Sequence, residues 1–461
     1  MAAEERIESL NPATGEVIGS YRIHSEAQTE EALRAAKKAF THWRSETFLV
    51  RAALMKKAAS CLREKKAHLA GIMTAEMGKP IVESEGEVEK CAWNCDYYAE
   101  NAERFLSDEM RVSNAAESYI EYPPLGVILA VMPWNYPLWQ VFRFAAPALM
   151  AGNTAILKHA SNVPRCALEI ENVFTEAGFP KSVFQSLLIP SSRVAHLIEH
   201  PAIAAVTLTG SEGAGSQVAS CAARVFKKTV MELGGSDPFI VLEDADFEAA
   251  VQAGVRARYQ NTGQSCIAAK RFIVVESIFE DYQDTFADTV RSLKVGNPMD
   301  RSTQIGPLAR QEFIADLERQ IRGSLQQGAA ILIGGKRIPG NGFYFAPTVL
   351  TDVQPEMPAG CEEVFGPVAA MIKARDAEDA VQLANRTSYG LGASLWTTDL
   401  IQAKRLARDI EAGQVFINGI VASDPRLPFG GVKRSGYGRE LSEFGLREFV
   451  NIQTVWIGPS R

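Results

Sequence analysis

From residue 124 to 243, apolar runs alternate with segments of helical spacing, and that alternation constrains the fold more than any other feature of the chain. "GVILAVMPW" is a continuous apolar run, and "YPLWQVFRFAAPALMAGN" after it repeats at helical spacing and ends in Gly-Asn. "TAILKHA" reads as the next strand, and "VPRCALEIENVFTEAGFP" as a helix with a proline near its first turn and a stop at Gly178. "VFQSLLIP", "IAAVTLTG" and "KKTVMELGG" read as further strands, separated by the helices "SRVAHLIEH" and "GAGSQVASCAARV". Strands alternating with helices in this rhythm imply a mostly parallel sheet with helices on both faces. Such sheets bind ligands at the carboxyl ends of their strands, where the loops gather.

A second α/β stretch begins near "DPFIVLEDADFEAAV" and runs past residue 420. Residues 30–105 read as largely helical, with "EEALRAAKKAFTHWRS" an amphipathic example. The terminal "FVNIQTVWIG" resembles a strand without a sequential partner, so it must pair with something distant, such as another subunit. A chain of 461 residues is too long for one ordinary domain.

A formal net charge of −7 argues against broad nucleic-acid or anionic-membrane binding. The acidic "MAAEERIESLNPATGE" lacks the apolar core of a signal peptide, and the run near "LGVILAVMPW" is too short to span a bilayer. A cytoplasmic protein is expected. The seven cysteines are scattered, and no histidine near Cys91 and Cys95 completes a metal site, so metal binding is not expected.

Four loops carry candidate chemistry: "MPWNYP" with Asn135, "LTGSEGAG" with Ser211, "MELGGSDP" with Glu232, and "GQSCIAAKR" with Cys266. Singly, each has a plain structural reading; Asn135 could be a helix cap and Gly234-Gly235 a turn. Together they form a coherent set. A cysteine thiolate is a strong nucleophile once its pKa is lowered or a base assists it. The oxyanion made by attack on a carbonyl needs donors such as the Asn135 amide. A carboxylate such as Glu232 can then activate water against a covalent intermediate. These loops hold no histidine, which disfavours a cysteine-dependent hydrolase or acyltransferase, the main rival reading. A non-enzymatic binding protein is disfavoured because all three groups are present.

The chain resembles the NAD(P)-dependent aldehyde dehydrogenase superfamily throughout its length. The resemblance is carried by "PWNYP" (133–137), "TGSEGAG" (209–215), "MELGG" (231–235), "GQSC" (263–266), "EEVFGPV" (362–368) and "PFGGVKRSGYGRE" (428–440). It implies two doubly wound parallel-sheet (Rossmann-like) domains plus a small β oligomerisation arm. Residues 1–105 and 124–232 would bind the dinucleotide, 233–434 would form the catalytic domain, and 106–123 with 435–461 would form the arm and C-terminal strand. A homodimer or homotetramer is implied. In the implied chemistry Cys266 attacks the aldehyde, Asn135 and the Cys266 backbone N–H hold the oxyanion, and Glu232 activates the hydrolytic water. The sequence expectation is that small, flexible neighbours let cofactor and substrate approach the sulfur.

For NAD or NADP the resemblance implies Gly210 and Ser211 at the pyrophosphate, Glu363 and Phe365 at the nicotinamide ribose, Trp134 on the cofactor side and Lys158 at the adenine ribose. Ser161 stands where NAD-preferring relatives often carry glutamate, so a 2′-phosphate is not repelled. Arg143 matches the arginine by which the succinate semialdehyde branch grips the far carboxylate of its substrate. In that branch a second arginine often stands where this chain has Gln260, and a second cysteine often follows the nucleophile, where this chain has Ile267 and Ala268. Ser423 could assist carboxylate binding, whereas Asp424 would oppose it unless paired. The expectation is oxidation of succinate semialdehyde, with other short-chain or non-carboxylated aldehydes as the alternative.

Overall fold

The computed structural model describes residues 5–458. Its first sheet has six strands in the order Gly436–Tyr437, Lys228–Glu232, Ile203–Thr209, Val127–Met132, Thr154–His159 and Phe184–Ser186. All neighbours are parallel except Gly436–Tyr437, which runs antiparallel to Met231 and Glu232. Val127–Met132 and Thr154–His159 are almost wholly buried, and covering helices on both faces account for their lack of apolar–polar alternation. Chain order reverses on either side of Val127–Met132, so the switch point lies beyond Met132 and Thr209.

The second sheet has seven strands: Ala330–Ile333, Thr348–Thr351, Val368–Ala374, Ala269–Val275, Asp237–Val241, Gly392–Trp396 and Gln414–Ile417. Only the Ala330–Ile333 pairing is antiparallel. A separate two-stranded ribbon, Arg6–Leu10 with Val17–Arg22, precedes four helices between Glu26 and Phe105. The first of these, Glu26–Trp43, begins at a capping box formed by Ser25 and Gln28.

The solitary terminal strand finds its distant partner within the chain. Gln453–Ile457 pairs antiparallel with Glu117–Glu121, which also carries Glu109–Met110. This three-stranded sheet exposes Met110, Val112, Trp456 and Ile457. Residues Gly436–Tyr437, by contrast, lie on the first sheet, where Gly436 has φ +114° and a side chain would collide with the Met231 carbonyl. Among the described residues no helix is long and apolar enough to cross a membrane.

Candidate active site

Three of the four candidate loops emerge at the carboxyl edge of the first sheet. Trp134 and Asn135 follow Met132, Gly210 and Ser211 follow Thr209, and Glu232 ends its own strand. Cys266 arrives from the other side, three residues before Ala269–Val275, at the amino end of a second-sheet strand. The site therefore forms where the two sheets face each other.

The run around the cysteine is neither loose nor solvated, which corrects the expectation of flexible neighbours. Asn261, Thr262, Gln264 and Ser265 are fully buried. Asn261, Thr262 and Gly263 take φ values of +52°, +56° and +73° in succession, a conformation that persists only when its surroundings over-determine it. They do. The Asn261 N–H donates to Glu83 Oε2 at 2.6 Å, and its side-chain amide donates to the Asn135 carbonyl at 2.8 Å. Thr262 exchanges hydrogen bonds with Gly306, Arg258 donates to the Gly263 carbonyl, and the Ala309 N–H donates to Gln264 Oε1. A β-carbon on Gly263 would collide with the Gly366 carbonyl. Polar residues here build a rigid loop by bonding its backbone, as buried polar groups must.

Asn135 is buried, and its side-chain amide donates to the Gln264 carbonyl at 3.2 Å. An amide nitrogen carries two hydrogens, so a second donor remains. Asn135 is not a helix cap. The helix Trp139–Met150 is capped instead by Glu87, which accepts from the N–H groups of Leu138 and Trp139, both at 2.9 Å, and pairs with buried Lys79.

Cys266 lines a cavity of about 1030 Å³ between the helices Ile81–Phe105, Trp139–Met150 and Phe247–Tyr259. Arg143, Gln260 and Ser423 line the same cavity. Burial pushes the Cys266 thiol up to about 12, although Arg143 and Lys270 pull it down. The desolvation cost outweighs the two nearby cations, so of the two routes to a thiolate, a lowered pKa or an assisting base, the protein's own charges do not supply the first. Lys270 is fully buried and donates to the carbonyls of Ser265 and Cys266 at 2.9 and 2.6 Å, so it fixes the backbone that carries the sulfur.

Glu232 is buried beside Glu440 and Arg143, with Gly430 packed against its carboxyl group. Burial first and the Glu440 charge second raise its pKa well above the usual range, against the pull of Arg143. Glu440 is raised by burial too, with Arg143 opposing. Arg143 and, more weakly, Arg439 pull the Glu232 carboxyl down, but burial and the neighbouring Glu440 charge outweigh them.

Arg143 is where the structure most revises the sequence reading. The carboxylate that its apolar setting demands is supplied within the chain. The guanidinium forms an ion pair with Glu440, donates to Thr209 Oγ1 at 3.3 Å, and lies 4.5 Å from the centre of the Phe429 ring. Arg143 and Glu440 are 2% and 3% exposed. Glu440 sits in the quoted "GYGRE" but was given no role there. Asp424, the feared opponent of a substrate carboxylate, is held by Arg426 through bonds of 2.9 and 2.6 Å.

On the cofactor side, Trp134 stacks on Phe313 at 5.1 Å and meets Phe365 edge-on at 5.8 Å. Glu363 accepts from the Gly235 N–H at 3.0 Å and lies 3.9 Å from Lys270. Ser211 caps the helix Glu212–Arg224, and a β-carbon on Gly213 would meet only open space. Ser211 takes up the Ala214 N–H, and the uncrowded start of the helix around Gly213 suits a phosphate. Lys158, buried at the end of Thr154–His159, makes no ion pair among the described residues, while Ser161 is exposed nearby in sequence. A buried, unpaired ammonium fits a nucleotide phosphate or ribose. The one histidine at this edge, His159, is held neutral by burial, near 4, and its ring nitrogens engage the Pro137 carbonyl and the Ala160 N–H. It leaves no imidazole for hydrolase chemistry.

The sequence model of the aldehyde dehydrogenase family matches residues 1–455. Succinate-semialdehyde dehydrogenase (NADP(+)) of Mycobacterium avium is 50% identical over 459 residues, covering 99% of this chain and 97% of the relative. A probable succinate-semialdehyde dehydrogenase (NADP(+)) of Synechocystis sp. is 51% identical over 451 residues, covering 98% and 99%. The crystal structure of succinic semialdehyde dehydrogenase from Streptococcus pyogenes in complex with NADP+ is 37% identical and superposes with a TM-score of 0.96, covering 98% of this chain and all of that one.

Proposed function

Since the chain belongs to the aldehyde dehydrogenase family, we propose that it oxidises succinate semialdehyde to succinate with NADP, and with NAD to a lesser degree, through a covalent bond to Cys266. The observation that carries this is the placement of Cys266 on the wall of a large cavity, on a rigid loop bonded to Asn135. The Cys266 sulfur adds to the aldehyde carbon as the thiol S–H bond breaks and its proton passes to solvent water. The spare Asn135 amide hydrogen and the Cys266 backbone N–H stabilise the oxyanion, a contribution worth about 3–4 kcal/mol per donor in comparable sites. Lys158, Ser161, Gly210, Ser211, Trp134, Glu363 and Phe365 would hold the dinucleotide, which when bound would supply a hydride acceptor and a positive charge. Loss of hydride leaves Cys266 as a thioester. Glu232, once deprotonated, takes a proton from water as the water oxygen attacks the thioester carbon; the C–S bond then breaks, the acid is freed and Cys266 leaves as the thiolate.

Arg143, Gln260 and Ser423 surround the substrate's far end. Lys158 without a carboxylate partner, and Ser161 in place of an acid, support acceptance of a 2′-phosphate. The exposed apolar residues of the three-stranded sheet support a homo-oligomer joined through that arm, a dimer or a tetramer. A net charge of −7 and the absence of a spanning helix among the described residues support a cytoplasmic protein. Steady-state rates for succinate semialdehyde, butanal and longer aldehydes, each with NADP and with NAD, test the assignment. Succinate semialdehyde with NADP should give the highest kcat/KM, and a preference for uncharged aldehydes refutes it.

A further inference from the structure

Of the six charged residues on the cavity wall, three have ion-pair partners among the described residues. Arg143 is matched by Glu440, Arg301 by Glu85 and Glu87 by Lys79, and Asp424, next in the chain to the lining residue Ser423, is matched by Arg426. The other three are Glu83, which accepts from the Asn261 N–H at 2.6 Å, the exposed Arg256, and Lys90. Lys90 lies on the helix Ile81–Phe105, its side chain lines the cavity, and it forms no ion pair among the described residues. Its ammonium donates to Ser423 Oγ at 2.8 Å and stands 4.4 Å from the centre of the Trp139 ring. Arg256 is also unmatched, but it is exposed at the cavity's outer side.

We infer that Lys90, held by Ser423 and Trp139, supplies the net positive charge that receives the substrate's far carboxylate. This rests on the succinate semialdehyde reading above. A carboxylate entering beside Arg143 alone would meet a guanidinium whose charge Glu440 already cancels, and the cavity would stay neutral there. Lys90 changes the sum. An ammonium has three donors and no acceptor, so one hydrogen can stay on Ser423 while another meets a carboxylate oxygen. The indole face holds the cation in place without neutralising it. Lys90 is thereby a specificity-determining residue: it discriminates acid-bearing aldehydes from plain ones and takes no part in the bond changes at Cys266.

Its proton affinity offers an independent readout. Burial lowers the Lys90 pKa to about 8, with Arg143 adding to the effect and Cys91, Glu87 and Asp424 opposing it. Raising the pH through that value removes the charge. The ratio of kcat/KM for succinate semialdehyde to that for butanal should therefore fall above about pH 8, whatever Cys266 and Glu232 do to both substrates alike.

The test is steady-state kinetics of wild type, Lys90→Met, Lys90→Arg and Arg256→Met with both aldehydes across pH 6.5–9.5. Lys90→Met should raise KM for succinate semialdehyde roughly 10- to 100-fold, the range for a hydrogen bond to a charged group, with a far smaller change for butanal. It should also abolish the fall of the ratio above pH 8, while Lys90→Arg restores much of the selectivity and leaves the ratio flat with pH. Wild-type preference that survives in Lys90→Met, or disappears in Arg256→Met instead, overturns the inference and leaves the substrate reading standing. A wild type indifferent to the carboxylate overturns both.

Discussion

Arg143, Glu440 and Glu232 form a buried unit of one positive and two acidic groups, and its behaviour can be worked out from the structure. Arg143→Met removes the only ion-pair partner that the Glu440 carboxylate has among the described residues, in a place where both side chains are 3% exposed or less. Removing one partner of such a pair costs about 3–5 kcal/mol, because the other charge stays desolvated or must be protonated. Glu440→Gln strands the guanidinium by a similar argument. The double variant Arg143→Met/Glu440→Gln strands neither member of the ion pair, although Glu232 still loses the pull of Arg143, so its loss of stability should fall short of the sum of the two by at least about 1.5 kcal/mol. Urea unfolding of the four proteins at pH 7 measures this coupling.

The same unit sets a kinetic signature. Arg143 lowers the Glu232 pKa and Glu440 raises it. Glu232 must be ionised to activate water, so activity appears as pH rises through its pKa. Arg143→Met should move that limb of the kcat profile for butanal to higher pH, and Glu440→Gln should move it to lower pH. Losses of stability that add within about 0.5 kcal/mol, or limbs that move in the same direction, refute the three-group reading.

Asn135→Ala should lower kcat by roughly 100- to 1000-fold, the usual effect of deleting one oxyanion donor. The far-ultraviolet spectrum should be unchanged, because the backbone carbonyl of residue 135 still accepts from Asn261. Ser161→Glu should raise KM for NADP by about 10-fold or more and change KM for NAD far less, since the new carboxylate repels a 2′-phosphate and not a hydroxyl. Equal changes for the two dinucleotides would remove Ser161 from the phosphate site.

The strands of the first sheet were legible because strands buried on both faces write themselves as apolar runs, as in "VILAVM". Cys266, Asn135 and Glu232 were legible as chemistry because their types suit acyl transfer and their loops meet helix or strand boundaries. The charge pairs were not. Lys90 and Ser423 are 333 residues apart in the chain, and Asn261 and Glu83 are 178 apart, so no local pattern relates them. Arg143 shows the cost of that blindness: its apolar neighbours correctly signalled a carboxylate partner, but the carboxylate lies on Glu440, nearly 300 residues downstream. The polar run "NTGQS" misled for the opposite reason. Composition made it look solvated, whereas three consecutive left-handed residues turn its polar groups inward to bond one another.

Trapping the acyl group tests the central claim most directly. Glu232→Gln should react with succinate semialdehyde and NADP to release one equivalent of NADPH per active site, then stall. Mass spectrometry of the acid-quenched protein should place a succinyl group on the peptide carrying Cys266. A burst without an acylated Cys266, or full steady turnover in Cys266→Ala, would contradict covalent catalysis at this sulfur.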